Sequence, residues 1–181
     1  ANEKLVQSPS TSPTPALRSD SYNPLGIKQM EGKNSLQPFN IKSSTTNGGT
    51  EAGKRLANKA EAHAKATNTE GWCYKAVCDV VNPMFPGTNL HGGSAYMAKD
   101  QLKANPNFEN ITSSHEDNLN KLPAGAIVVF NKNGRRPHGH IAISLGDGRE
   151  ASDKIREQLT PESYGTTLSG IFMPKDNSSF A

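Results

Sequence analysis

The sequence predicts an α+β domain in which N-terminal helices pack on an antiparallel β-sheet. Two observations indicate this fold class. Segments with helical periodicity lie between residues 51 and 103, and short apolar runs separated by glycine turns follow from residue 124. Helices first and a meander of strands afterwards are typical of an α+β domain.

Residues 1–50 are expected to be a disordered tail and linker ahead of the folded domain at residues 51–181. The tail has a Pro/Ser/Thr-rich stretch at residues 8–15, has no hydrophobic period and ends in a Ser/Thr/Asn/Gly run. This composition fits a plain disordered extension, and it also fits an export signal or a partner-docking segment.

The charge and hydropathy of the chain exclude several functions. A formal net charge of +3, scattered over 20 basic and 17 acidic residues, is too weak a surplus to predict nucleic-acid binding. No apolar run is long enough to cross a membrane, so no membrane insertion is expected. The first residues have no apolar signal-peptide core, which leaves a removed signal, another export route or an internal protein.

Two helices open the predicted domain. The first, from residue 51 to 66, is rich in Ala, Lys and Glu and carries one small apolar face: Leu56, Ala57, Ala60 and Ala64. The second begins at Cys73, and its spaced valines are predicted to face a core: Val77, Val80 and Val81. Asn82-Pro83 is expected to end it.

A third helix, four strands and a short helix or loop complete the prediction. Ser94 is expected to cap a helix that runs to Lys103, with these core candidates: Tyr96, Met97 and Leu102. Residues 126–130 and 139–145 are predicted strands, residues 149–153 a third strand and residues 170–174 a closing strand. Residues 154–164 are expected to form a short helix or a loop, and residues 107–120 have no clear pattern.

Cys73 is the candidate nucleophile. In the first turn of a helix the amides are unpaired and the dipole is positive, which favours a thiolate. Cys78, the second cysteine, points about 140° away on the same helix, so a disulfide between the two is not expected. Cys78 is predicted to be a small core residue. No His/Cys spacing suggests zinc, and neither a metal nor a cofactor is expected.

His140 is the candidate general base. It lies at the mouth of a strand whose alternation puts His140, Ala142 and Ser144 on one face, and the cysteine helix is expected to lie across that face. His138, in the preceding loop, is the alternative base. A carboxylate is needed to orient the imidazole, and the next strand offers Glu150 and Asp153.

These motifs, in this order, resemble the NlpC/P60 and CHAP group of papain-like peptidoglycan hydrolases, including bacterial amidase effectors and phage lysins. The matching segments are Gly71-Trp72-Cys73, Gly125-Ala126-Ile127-Val128-Val129-Phe130, Gly139-His140-Ile141-Ala142-Ile143 and Gly146-Asp147-Gly148. Residues 93–98 also look like the helix that these domains carry between the cysteine and the histidine. One departure is that Ala126 stands where the group usually has Asp.

The resemblance implies a papain-like fold and a cysteine hydrolase that cleaves an amide bond in or at the peptidoglycan stem peptide. Cys73, His140 and Asp153 are then the expected catalytic residues, with Asp153 chosen because Ser152-Asp153 matches the pattern and Glu150 as its rival. The protein is expected to be secreted or delivered to the periplasm or cell wall. Its expected partners are peptidoglycan and, by the likeness to effectors, an immunity or inhibitor protein.

Two other functions fit the same residues. One is a secreted papain-like protease or deamidase that acts on a host protein. The other is a non-catalytic binding module with this fold, although the presence of a cysteine, a histidine and a carboxylate favours an enzyme.

Overall fold

The structure is a computed structural model, and it describes residues 49–176. The predicted tail at residues 1–50 therefore lies, apart from its last two residues, outside the described residues. Five α-helices occur within the described range: α1 (Glu51–Thr67), α2 (Cys73–Met84), α3 (Ala98–Lys103), α4 (Thr112–His115) and α5 (Pro161–Tyr164). Two short 3-10 helices cover Ala95–Met97 and Leu119–Lys121.

Six strands in residues 49–176 form one antiparallel sheet. They are β1 (Phe108–Asn110), β2 (Ile127–Phe130), β3 (His140–Ser144), β4 (Arg149–Ala151), β5 (Ile155–Glu157) and β6 (Leu168–Pro174). Their order across the sheet is β1-β6-β2-β3-β4-β5. The predicted α+β class, with helices before an antiparallel sheet, is confirmed. Within residues 49–176, none of the helices combines the length and the apolar composition that a membrane span requires.

The first helix forms as its composition predicts. Thr50 caps it, because the Thr50 side chain accepts a hydrogen bond from the Gly53 amide, and Asn68 ends it in the left-handed region. The predicted apolar face is buried: Leu56, Ala57, Ala60 and Ala64. The small side chains allow α1 to lie close to its neighbours.

The second helix begins at Cys73 as predicted but ends later than expected. Pro83 lies inside its last turn, where only one intrahelical hydrogen bond is lost, and the helix runs on to Met84. Asn82 does not end the helix either. Its side-chain amide exchanges hydrogen bonds with the backbone of Leu90 and ties α2 to the following loop.

The prediction for the third helix is wrong in three details. Residues 95–97 form a 3-10 turn, and the helix proper covers only Ala98–Lys103. The Ser94 side chain does not cap it, because Ser94 Oγ bonds to a histidine ring across the cleft instead. Met97 is more than a third exposed, and Ala95 and Ala98 take the buried positions beside Leu102.

The short outer strands differ most from the prediction. Residues 155–157, expected in a helix or loop, form β5 and pair with β4, so that only residues 161–164 of that segment are helical. Residues 108–110, which had no clear pattern, form β1 on β6. The third predicted strand is also shorter, since β4 ends at Ala151 and residues 152–154 make the turn to β5.

The sheet separates two apolar layers. One face packs Ile141 and Ile143 against the helices, including Val77, Val80 and Val81 of α2. The other face packs Phe130 with Leu122 and Ile171. The expectation that the cysteine helix covers the His140 face is therefore wrong. The valines of α2 lie on the opposite face, and only the start of the helix approaches His140.

One backbone contact fixes how closely α1 approaches the sheet. Gly125, just before β2, has a φ of +94°, and a Cβ atom there would lie 2.2 Å from the Gly53 carbonyl oxygen. A side chain at this position would push α1 away from the sheet. The glycine therefore permits the close packing that the small residues of α1 favour.

Candidate active site

The start of α2 places Cys73 at the edge of an open cleft. Cys73 is the first residue of the helix and is partly exposed. Trp72, the residue before it, donates its backbone N–H to Asp153 Oδ2 at 2.8 Å. Because the first amides of a helix have no intrahelical acceptor, the Cys73 N–H is available to an anion in the cleft.

Gly139 and Tyr164 hold His140 at the start of β3. Gly139 has a φ of +66°, and a Cβ there would lie 2.5 Å from the Phe130 carbonyl oxygen, so glycine is required before the histidine. The Tyr164 hydroxyl donates to the Gly139 carbonyl at 2.7 Å. The Tyr164 ring also lies 5.3 Å from the imidazole, centroid to centroid. The histidine backbone and ring are thus fixed from two sides.

Glu150 is the carboxylate that contacts His140. Its Oε2 atom lies 2.7 Å from His140 Nε2. The side chain is fully buried, and three further donors reach it: Arg156 Nη1 at 3.3 Å, Gln158 Nε2 at 2.9 Å and the Leu159 N–H at 3.2 Å. A carboxylate with this many donors is fixed in place and accepts from Nε2–H, which leaves Nδ1 of the imidazole to face a thiol.

The environment raises the pKa of His140 to about 9. Burial of the ring alone lowers it, but hydrogen bonds to the Cys73 thiol and to Glu150, with the negative charges of both groups, outweigh burial. The imidazole is therefore cationic at neutral pH. A cationic imidazole beside the sulfur of Cys73 can donate a proton within the site.

The structure brings Cys73 and His140 together, but it does not bring Asp153 to the imidazole. The Asp153 carboxylate is directed to the Trp72 amide and to the Ser152 hydroxyl, which lies 3.1 Å from Oδ1. The sequence-based choice of Asp153 over Glu150 thus differs from the observed contacts. Asp153 lies in the turn after β4, so it does not point as a residue of that strand would.

A signal for Glu150 was present in the sequence. The turn at residues 146–148 fixes the pairing register of β3 and β4, in which Ser144 lies opposite Glu150. Residues opposite each other in an antiparallel pair share a face, and His140 lies on the Ser144 face by alternation. The hairpin register therefore puts Glu150 on the face of His140, whereas an odd-numbered residue of the same strand, as Asp153 would be, faces the other side. Tyr164 had no such signal, because it comes from a distant helix.

The alternative base, His138, and the second cysteine, Cys78, also line the cleft. His138 is exposed, and its Nδ1 atom lies 2.6 Å from Ser94 Oγ. Cys78 is half-buried under the cleft beside Tyr74, and burial raises its pKa to about 11, so it stays a thiol.

The cleft around Cys73 and His140 has a volume of about 880 Å³ and a mixed, mainly basic rim. Its walls include Trp72, which is 60% exposed, and the loop between β2 and β3. Four cationic side chains line it: Lys75, Arg135, Arg136 and Arg156. Two acidic residues, Glu70 and Asp153, also line it. Among residues 49–176, no group of three or more His, Cys, Asp or Glu could hold a metal ion.

No protein-family model matches the sequence, and no curated protein matches it. Among solved structures, the chain is similar to a chain of the type VI native effector–immunity complex Tae3–Tai3 from Ralstonia pickettii, with a TM-score of 0.52 and 20% identity. The match covers 68% of this chain and 98% of the other. The protein thus shares its fold with a chain of an effector–immunity complex, and the narrower resemblance to NlpC/P60 and CHAP hydrolases stays a prediction.

Proposed function

We propose that this protein is a cysteine hydrolase that cleaves an amide bond in or at the stem peptide of peptidoglycan. The observation that carries the proposal is one chain of contacts. His140 lies between the Cys73 thiol, at a helix start, and the fully buried carboxylate of Glu150. A nucleophile, a base and an orienting acid in this order are the parts needed for acyl transfer through a thioester.

In the proposed first half-reaction, the Cys73 thiolate attacks the amide carbonyl carbon, and the carbonyl oxygen becomes an oxyanion. The Cys73 N–H at the helix start donates to that oxyanion. His140, as imidazolium, protonates the leaving nitrogen, the C–N bond breaks, and a thioester and a free amine remain.

In the second half-reaction, a water molecule attacks the thioester while neutral His140 accepts its proton. The C–S bond then breaks, and the product is a carboxylic acid with the thiolate–imidazolium pair restored. Throughout, Glu150 holds the proton on Nε2 and keeps Nδ1 towards the sulfur, which is the role first expected of Asp153.

The charge of the cleft supports an acidic, peptide-like substrate. Stem peptides carry free carboxylates, and three of the cationic side chains at the cleft already have partners. Lys75 pairs with Asp79, Arg156 with Glu150, and Arg136 with the Tyr164 ring and carbonyl. The guanidinium of Arg135 has no hydrogen bond or ion pair within residues 49–176 and is exposed at the rim. It is therefore the group most ready to bind a substrate carboxylate.

The fold likeness supports delivery as an effector. The similar chain belongs to a type VI effector–immunity complex. We propose by analogy that this protein reaches the periplasm or cell wall of a target cell and that an immunity protein inhibits it there.

Digestion of purified peptidoglycan tests the proposed function. The wild-type protein should release soluble fragments, and mass spectrometry of their new amino and carboxyl termini identifies the cleaved bond. Cys73→Ala should release none, whereas Cys78→Ala, a matched change five residues along the same helix, should keep most of the activity. Intact peptidoglycan together with deamidation or cleavage of host proteins would instead support the protease or deamidase alternative.

A further inference from the structure

Asp153 lies on the nucleophile side of the site, away from the imidazole. The residue is 1% exposed, and its carboxylate accepts the Trp72 N–H at 2.8 Å and the Ser152 hydroxyl at 3.1 Å. Its backbone carbonyl accepts from the Thr69 N–H at 2.9 Å and from Thr67 Oγ1 at 3.0 Å. One residue of the β4–β5 turn therefore holds the whole segment between α1 and α2.

We propose that Asp153 is the positioning residue for the nucleophile. It fixes the backbone immediately before Cys73, so that the thiol and the Cys73 N–H point into the cleft towards the same reacting carbonyl. The inference rests on the proposed function, since it assigns Asp153 a role in the same hydrolysis.

The two successive amides at the helix start have different tasks in this arrangement. The Trp72 N–H is occupied by a protein carboxylate, whereas the Cys73 N–H has no intrahelical acceptor and is left for the substrate oxyanion. Without Asp153, the Trp72 amide would compete for an acceptor in the cleft. Trp72, which is largely exposed, would also lose its anchor. A displacement of the thiol by about 1 Å is enough to cost about 10²-fold in rate.

Arg156 links this anchor to the base. Its Nη1 atom donates to Glu150 Oε2 at 3.3 Å and to Ser152 Oγ at 3.1 Å, and its Nη2 atom lies 4.0 Å from Asp153 Oδ1. The carboxylate that orients His140 and the carboxylate that anchors the Cys73 segment thus share one guanidinium. The turn that carries Asp153 is thus tied to Glu150 by the hydrogen bonds of Arg156 to Glu150 and Ser152, which do not require the charge of Asp153.

Two substitutions separate the position of the acceptor oxygen from its charge. Asp153→Asn keeps an oxygen at the same distance from the backbone and removes the charge, and Asp153→Glu keeps the charge and moves the oxygen outward by one methylene. The test is to measure kcat and KM on purified peptidoglycan for each variant. A separate assay follows the rate at which iodoacetamide alkylates Cys73 as a function of pH. Asp147→Asn, on an exposed turn, is the matched control.

If Asp153 positions the nucleophile, Asp153→Asn should keep at least a third of the wild-type kcat and alkylation rate. Asp153→Glu should lower both tenfold or more, with less than a threefold change in KM. The proposal would be overturned if Asp153→Glu kept the wild-type kcat and alkylation rate while Asp153→Asn lost both. The charge of the side chain, and not the position of its oxygen, would then matter. Wild-type kcat and alkylation in both variants would also overturn the proposal.

Alkylation needs no substrate, so it distinguishes a failure of this inference from a failure of the proposed function. A protein that cleaves no peptidoglycan can still show slow Cys73 alkylation in Asp153→Glu, which would support the positioning role alone. Unchanged alkylation in both variants of an active enzyme would remove the positioning role and leave the hydrolase proposal intact.

Discussion

Replacing Glu150 with Gln tests the contact that differs from the sequence-based expectation. The carboxylate accepts from His140 and Arg156 at Oε2 and from Gln158 and Leu159 at Oε1. A glutamine must turn its NH₂ group towards one of these pairs of donors. Either orientation therefore breaks hydrogen bonds of a buried group, which costs about 1–3 kcal/mol of stability.

The effect on the base follows from the pKa of His140, which is about 9 instead of 6.5 in part because of the Glu150 hydrogen bond and charge. Removing that charge lowers the pKa of His140 towards 6.5. At pH 8 the imidazolium fraction would then fall by up to about 30-fold, whereas at pH 6 it would hardly change. Loss of the correct tautomer lowers kcat further at every pH, as in other triads, by orders of magnitude.

The assay is the pH profile of kcat/KM on purified peptidoglycan for wild type, Glu150→Gln and the exposed control Glu157→Gln. We expect kcat/KM of the wild type to fall on the alkaline side near pH 9, and that of Glu150→Gln to fall at least one pH unit lower. At pH 8 the kcat/KM of Glu150→Gln should be lower than that of the wild type by 10²-fold or more. The control should follow the wild type. A Glu150→Gln enzyme with the wild-type limb and rate would refute the assignment of Glu150 as the orienting acid.

Three further predictions concern neighbouring groups. His140→Ala should abolish peptidoglycan cleavage while His138→Ala only weakens it, and the reverse ranking in a rate assay would move the base into the loop. Protonated His140 should stabilise the fold, because its pKa in the folded state is raised to about 9. This contribution to the free energy of unfolding is roughly 3 kcal/mol at most; it is present in full below about pH 6.5 and is lost as pH rises to about 9. Urea titrations at pH 6 and 9.5 should show this loss, and His140→Ala should reduce it. Gly139→Ala should lower both the melting temperature and kcat, because its Cβ would meet the Phe130 carbonyl oxygen; unchanged values would show that the strand start can shift.

Much of the fold follows from local pattern. The apolar face of α1, the valines of α2 and the strand runs at residues 127–130 and 140–144 are long or regular enough to identify alone. The outer strands β1 and β5 are three residues each and are held by pairing with β6 and β4. Their strand state depends on non-local partners, so local pattern misses them.

A site residue can be predicted from the sequence when its position depends only on neighbouring residues. A predicted helix start indicates Cys73 and a predicted strand start indicates His140, and both starts follow from neighbouring residues. The choice between Glu150 and Asp153 needed the end of β4, and β4 ends at Ala151 because residues 152–154 turn back into β5. The sequence does not mark that turn with a glycine or proline, so local pattern extends the predicted strand through Asp153.

Alkylation of Cys73 tests the central claim most directly. Iodoacetamide at pH 6.5 should modify Cys73 and leave the half-buried Cys78 unmodified, with peptidoglycan cleavage lost in proportion to the modified fraction measured by peptide mass spectrometry. His140→Ala should slow the modification at least tenfold. Protein fully carbamidomethylated at Cys73 that still cleaves peptidoglycan at the wild-type rate would contradict the account.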